Sequence, residues 1–308
     1  MAKALVKGRL HRRLAFAFAP AFVSDGISGA TVQRLLELCR MLWSSMMDER
    51  DMERLLLSYP RKRPPLSAAH QAVYVDEYRS NRLGSNSLSS LVATLESWMH
   101  RAVARPDHGP LLEIGAGTLN HVPYEPNVEA YDVVEPFHEL CQDSPHRARV
   151  REFYDDCDQV PEDRRYVRII SVAVLEHLED LPGIVARSAL LLSSSGEFCA
   201  GIPSESGMLW GLAWRLTTGL AYRFRTGLDY ATVMRHEHIN SDMEIVTIVK
   251  HFFGSVNISR YPMPFHHLSF YTAIEARDPR LERCRAFLET RSANPTGSVA
   301  NHDDVLEW

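Results

Sequence analysis

Apolar positions recur along this chain in two rhythms. Between Thr31 and Met47, the residues Val32, Leu35, Leu36, Cys39, Leu42 and Trp43 fall at helical spacing and predict one amphipathic helix, which Asp51 to Leu57 continues after a break. Leu88, Leu91, Val92, Leu95, Trp98, Met99 and Ala102 share one face of a second helix, which should pack on a sheet. From Leu111 onward short apolar runs alternate with helical stretches, the mark of a parallel α/β sheet. The runs at 111–114, 130–135, 148–153, 167–172 and 197–203 read as five strands, with a helix over 182–192 that Ser193 to Gly196 stops. A helix over 242–252 and strands at 255–260 and 268–276 follow, then one short helix and a polar tail expected to be poorly ordered.

Two stretches interrupt the alternation. Tyr59 to Pro65 sets three prolines among three bases, which predicts a boundary or a solvated loop. Ser206 to Tyr230 mixes Trp210, Trp214, Tyr222 and Phe224 with Arg215, Arg223 and Arg225, and reads as a lid or a membrane-facing surface, or else as an amphipathic helix packed on the core. The stretch His236 to Asn240 reads as a loop or helix start. The expected organisation is a helical N-terminal extension (1–84), an α/β domain (85–278) with a lid-like insertion near 206–240, and a tail (279–308). The link between the first two strands is short: Thr118 to Asn127 holds Pro123 and Pro126 and leaves room for only a stub of helix.

Composition narrows the class. The 308 residues are 45% hydrophobic and 24% charged, as in an ordinary globular protein, and the net charge of -5 supplies no basic field for nucleic acid. The five cysteines are scattered, without a C-x-x-C pair, so neither a zinc site nor a disulfide framework is expected. No apolar run is long enough to span a bilayer. Lys3, Lys7, Arg9, Arg12 and Arg13 precede the apolar Leu14 to Val23, an order that fits a basic arm on a cytoplasmic protein, a targeting peptide or a peripheral membrane contact.

The candidate chemistry centres on Leu111-Leu112-Glu113-Ile114-Gly115-Ala116-Gly117-Thr118. A buried strand running into two glycines lets backbone approach a ligand that a Cβ would block. A second acid, Glu135 followed by Pro136, ends the next strand 22 positions after Glu113, about the spacing that reaches a ribose diol. A dinucleotide site would need a third glycine, where this chain has Asn120 preceded by Leu119. An ordinary glycine turn is the competing reading.

The acid-x-G-x-G pattern resembles the first motif of the class I S-adenosylmethionine (SAM)-dependent methyltransferases. The likeness extends to Val174-Leu175-Glu176-His177 after the fourth strand and covers roughly residues 85–278. One departure is Val167, where the family often has Asp. The resemblance implies a Rossmann-like, mostly parallel seven-stranded sheet with helices on both faces and an antiparallel last strand. It implies that Glu113, Gly115, Ala116 and Gly117 lie against the methionyl part of SAM, and that Glu135 and Pro136 meet the ribose. Asp156 and Cys157 would meet the adenine, with Asp155 and Asp158 as alternatives for the acid, and Val174 and Leu175 would line the pocket. In such an enzyme an acceptor atom attacks the methyl group in line, and a base helps where the acceptor is a hydroxyl.

Among 14 histidines, His177, His236 and His238 are the leading candidate bases, with His266 and His267 also candidates and the carboxylates Glu176 and Glu205 lesser ones. His236 and His238 lack a third ligand at matching spacing, so no metal is expected. Trp210, Trp214 and Arg223 are the candidate acceptor contacts. The expected activity is methyl transfer to a hydroxyl or similar group of a small molecule, glycan or lipid-linked acceptor. The alternative is a methyltransferase fold kept as a non-catalytic binding or regulatory subunit.

Overall fold

The computed structural model describes residues 49–74 and 97–293. The helix expected over 31–47, the first half of that expected over 88–103, the basic N-terminal stretch and the end of the tail lie outside them. The chain divides between Leu55 and Leu56 into two compact units, and everything from Leu56 onward belongs to the second. Glu49–Leu57 is a helix (α1) with Glu49 and Asp51 in its first turn.

The second unit is built on a sheet of seven strands: β1 (Leu111–Ile114), β2 (Tyr131–Val134), β3 (Val150–Tyr154), β4 (Tyr166–Val172), β5 (Leu192–Pro203), β6 (Phe253–Pro262) and β7 (Ser269–Pro279). Their order is β3-β2-β1-β4-β5-β7-β6. The first five are parallel, and β7 enters antiparallel between β5 and β6. This is the Rossmann-like α/β fold with an antiparallel last strand that the sequence predicts.

The central strands are short and buried on both faces. Leu111, Leu112, Ile169 and Ile170 are wholly removed from water, each contributing roughly 1.5–3 kcal/mol. On one side the helix over 97–103 sits close on β5, because a Cβ on Gly201 would come within 2.8 Å of the Met99 Cβ. On the other, Leu181–Leu191, Asp242–Phe252 and Leu281–Ala293 pack as a layer, with the Phe252 and Phe287 rings 5.3 Å apart. Asp180 caps the first of these helices, and a Ser241/Glu244 capping box starts the second.

Ser193 to Gly196 is not a helix stop. β5 begins at Leu192, which pairs with Tyr166 before an irregularity in the ladder. Gly196 serves close strand approach: a Cβ there would lie 2.9 Å from the Tyr166 carbonyl oxygen.

The crossover from β1 to β2 holds only a three-residue 3-10 turn, Val122–Tyr124. Two arginines take the place of a crossover helix. Arg149 donates to the carbonyls of Val122, Glu125 and Val128 at 3.4, 2.7 and 3.2 Å. Arg168, fully buried on β4, grips both Glu125 carboxylate oxygens at 2.7 Å and donates to the Val103 carbonyl at 2.8 Å. His121 meets Glu125 at 3.1 Å, and the stacked His100 meets His121 at 3.0 Å.

Arg168→Met should therefore destabilise the protein by about 3–5 kcal/mol in urea unfolding, because it strands the buried Glu125 carboxylate. Adding Glu125→Gln should recover part of that loss. Single and double variants of equal stability would mean that the pair does not hold the crossover.

Candidate active site

Gly115 follows β1 at φ 72°, and Gly117 lies two residues on at φ 51°. Both occupy the left-handed region that side chains resist, but their surroundings differ. A Cβ on Gly115 would strike the Val174 side chain at 2.4 Å, so this glycine is demanded by the protein's own packing. A Cβ on Gly117 would meet nothing within 4 Å, so this glycine borders open space.

Glu135, at the end of β2, ties the turn down. One carboxylate oxygen accepts from the Gly117 N–H at 2.8 Å and the other from the Phe137 N–H at 3.0 Å. The carboxylate is nearly buried yet keeps unused lone pairs. Glu113 is buried in β1 and accepts from the Tyr131 hydroxyl at 2.6 Å. Burial pushes its carboxyl above the ordinary range, while His121 and the Tyr131 hydroxyl pull it back. Ala116 is buried and Pro136 exposed. Asp156 is exposed after β3, where it caps a turn by accepting from the Asp158 N–H at 2.9 Å, and the Cys157 thiol is buried below it. Asp155 is occupied with Gln159 and His138.

A second cluster lies beyond Val174. Ala173 leaves β4 at φ 55°, and Leu175–His177 make a single 3-10 turn. His177 Nδ1 meets the Glu237 carbonyl at 2.8 Å, and its ring lies edge-on to His238 with centroids 4.6 Å apart. His238 Nδ1 is in contact with the Glu205 carboxylate, two residues beyond β5. Burial, then His177 and Arg63, push the His238 imidazole down to about 3. Glu176 is buried beside them, its Oε1 3.9 Å from His177 Nε2, its Oε2 without a partner, and its carboxyl raised by burial.

Of the three leading histidines, His177 and His238 come together. His236 does not join them: its Nδ1 meets the Pro64 carbonyl at 2.7 Å and its ring packs on Tyr74. Trp210 packs edge-on to Tyr271 at 5.8 Å, with its ring N–H buried and unpartnered. Trp214 packs on Tyr230 at 5.9 Å, while Arg223 is exposed.

Tyr59 to Pro65 is not a solvated loop but a strap across this cluster. Tyr59 is buried, and its hydroxyl donates to Asn240 Oδ1 at 2.8 Å. Arg61 makes a forked pair with Glu244 at 2.8 and 3.0 Å and donates to the Ile239 carbonyl at 2.6 Å. Arg63 reaches Glu237 at 3.3 Å, and the Tyr74 hydroxyl donates to the same carboxylate. Arg61 and Arg63 find acids on the core, while Lys62 between them is exposed. Asn240, fully buried, donates to the carbonyls of Leu175 and Leu178 at 2.9 and 2.7 Å and so fixes the turn that carries His177. Sequence reading names Glu205 as a lesser candidate but misses Arg63, Tyr74, Glu237 and Asn240, and does not join these residues in one cluster. The signal within reach was the density of acids and histidines after strands four and five.

No family model matches the sequence, and no curated protein matches it. Among solved structures, the chain is similar to the N-methyltransferase NodS from Bradyrhizobium japonicum in complex with S-adenosyl-L-homocysteine. The identity is 13% and the TM-score 0.43, over 65% of this chain and 91% of that one. It is also similar to a possible histamine N-methyltransferase from Thermotoga maritima, at 16% identity and TM-score 0.45 over 66% and 95%. An O-methyltransferase family protein from Burkholderia thailandensis matches at 12% and 0.43 over 83% and 74%. Likeness at this level concerns fold alone, and the fold already rests on the strand order.

The two glycines should part company under substitution. Each alanine carries the left-handed backbone cost of about 1–2 kcal/mol. Gly115→Ala adds a collision with Val174 and should lower the melting temperature clearly further than Gly117→Ala. Val174→Ala should rescue Gly115→Ala alone. Equal losses at both positions, with no rescue, would overturn the account of the turn.

Proposed function

We propose that this chain transfers the methyl group of SAM to a nucleophile, with a hydroxyl or similar group on a small molecule, glycan or lipid-linked molecule as the acceptor. The observation that carries this reading is the open space at Gly117 beside the Glu135 carboxylate, at the end of the parallel sheet where ligands of open α/β folds bind. SAM bound there supplies an electrophilic methyl group.

The chain's own residues do the rest. The bare Gly117 backbone leaves room for the ligand. Glu135, already fixed by two N–H groups, offers its remaining lone pairs to the ribose hydroxyls. Asp156 and the Cys157 backbone edge the adenine side. Val174, which abuts Gly115, leads in three residues to His177, and His177 touches His238. This path brings the base cluster to the same end of the sheet. His238, neutral at rest, takes the acceptor proton, and Glu205 beside its Nδ1 steadies the imidazolium that forms. Trp210 and Trp214 line the acceptor side. His236, tied to Pro64, has no part in proton transfer.

Two measurements test this. Glu135→Gln keeps the shape but weakens charge-assisted hydrogen bonds. It should raise the dissociation constant of S-adenosylhomocysteine, measured by calorimetry, about tenfold or more. A parent protein that binds neither SAM nor its product would sink the enzyme reading and leave the fold as a non-catalytic scaffold. For the chemistry, labelled SAM and a cell extract identify the product, and single-turnover transfer then follows at saturating SAM. His238→Asn should cost roughly 10²–10⁴-fold in rate with SAM affinity kept. Because His238 is pushed down to about 3, its neutral form is already complete at pH 6, so its titration should add no rise in rate from pH 6 to 9. A parent rate that climbs with an imidazole-like midpoint in that window, and an His238→Asn rate within tenfold of the parent, would show that another group is the base.

A further inference from the structure

Met208–Trp214, Arg215–Gly219 and Leu220–Thr226 run on without a break as one helix, the middle piece a π turn. Its inner face packs on the core through Gly211 and Tyr222, which are buried, and Trp214. Its outer face is apolar as well. Met208, Leu212, Leu216, Leu220 and Phe224, spaced four apart, are 63%, 57%, 63%, 45% and 82% exposed. In a pure α-helix such a stripe winds round the axis, because four residues overshoot one turn of 3.6. The π turn, with its wider i→i+5 bonding, turns less per residue and reduces that drift.

The loop that begins at β6's end adjoins the start of this helix. A Cβ on Gly207 would lie 2.8 Å from the His266 carbonyl oxygen, and this loop exposes Met263, Phe265 and Leu268. The charge on the helix has one sign. From Ser206 to Leu228 the sequence carries Arg215, Arg223 and Arg225 and no acid, and all three arginines are exposed.

We propose that the outer face of helix 208–226, with the 263–268 loop, seats on an anionic membrane surface. An exposed apolar stripe flanked by arginines without acids is the pattern of an interfacial helix, burying its apolar residues at the headgroup boundary while the cations meet lipid phosphates. No helix among the described residues is long and apolar enough to cross a membrane, so this face lies on a bilayer rather than through one. A second copy of the chain is the poorer occupant. A two-fold contact presses a patch on its own equal, which here sets arginine against arginine. The chain's own N-terminal stretch is also basic, with Lys3, Lys7, Arg9, Arg12 and Arg13, and shares the sign of the patch rather than complementing it.

The test is sedimentation of the full chain with phosphatidylcholine vesicles and with vesicles carrying about one-third phosphatidylglycerol. The protein should go down with the anionic vesicles, less so as salt rises, and stay in solution with the neutral ones. Leu216→Glu/Phe224→Glu changes two exposed side chains, so far-UV circular dichroism should stay native while vesicle binding falls at least about tenfold. Arg223→Ala should weaken it about fivefold. Failure of the parent to bind anionic vesicles at low salt would overturn the proposal, as would undiminished binding by the double variant. So would a dimer in light scattering that the double variant dissociates, which would make a second copy the occupant. None of these readouts uses SAM, so their failure is separate from failure of the methyl-transfer reading.

Discussion

The buried fork between Arg168 and Glu125 is the constraint on which the ligand end of the sheet depends. A parallel pair of strands needs a crossover, and a helix is the usual way to satisfy the backbone of that crossover. Here the chain returns from β1 to β2 with one 3-10 turn, so its carbonyls and the Glu125 carboxylate need other partners. Arg149 takes three carbonyls and Arg168 takes the carboxylate. With the crossover held in this way, Leu119 and Val122 bury against β1 and β2, and the glycine turn just before them keeps its place.

That turn and the histidine cluster are two ends of one piece of packing. Val174 sits where a Gly115 side chain would be, and Asn240 pins the carbonyls of Leu175 and Leu178 on the far side of the same short segment. The Arg61 and Tyr59 contacts then lock Asn240 from outside. The glycine turn on one side and the histidine cluster on the other, the proposed cofactor and proton-acceptor sites, are thus spaced by three residues of rigid chain. Such rigidity matters for a reaction whose acceleration comes mostly from holding two groups in line.

How much of this is legible in the sequence follows from how local each feature is. Gly115 and Gly117 are readable because a left-handed turn after a strand favours glycine. The strands and the parallel α/β class are readable from alternation, and the short crossover between β1 and β2 from two prolines in ten residues, whereas the order of the strands is a matter of long-range pairing. The strap was misread because three bases among prolines look the same whether they face water or acids, and Tyr59 finds Asn240 only 181 residues later. His177 and His238 could be named but not paired, and His236 could not be set apart from His238, since both sit on the same short stretch. Arg168 drew no notice beside the departure at Val167, though a charged residue inside an apolar strand needs a buried partner. Glu125, in a crossover too short for a helix, is the partner the structure shows.

The electrostatics of the histidine pair explain why Glu205 belongs with it. Buried imidazole resists protonation, and here His177 and Arg63 add to that resistance. A base so placed is weak in isolation: it would be neutral and ready, yet reluctant to hold a proton. In the proposed reaction the Glu205 carboxylate against Nδ1 would offset this, because it would compensate the positive charge where water cannot. Glu237 plays the complementary part for His177, offering its carbonyl to Nδ1 while its own carboxylate is held by Arg63 and Tyr74. One histidine is therefore oriented and the other electrostatically supported. Arg63 of the strap, together with Tyr74, thus engages the Glu237 carboxylate beside His177.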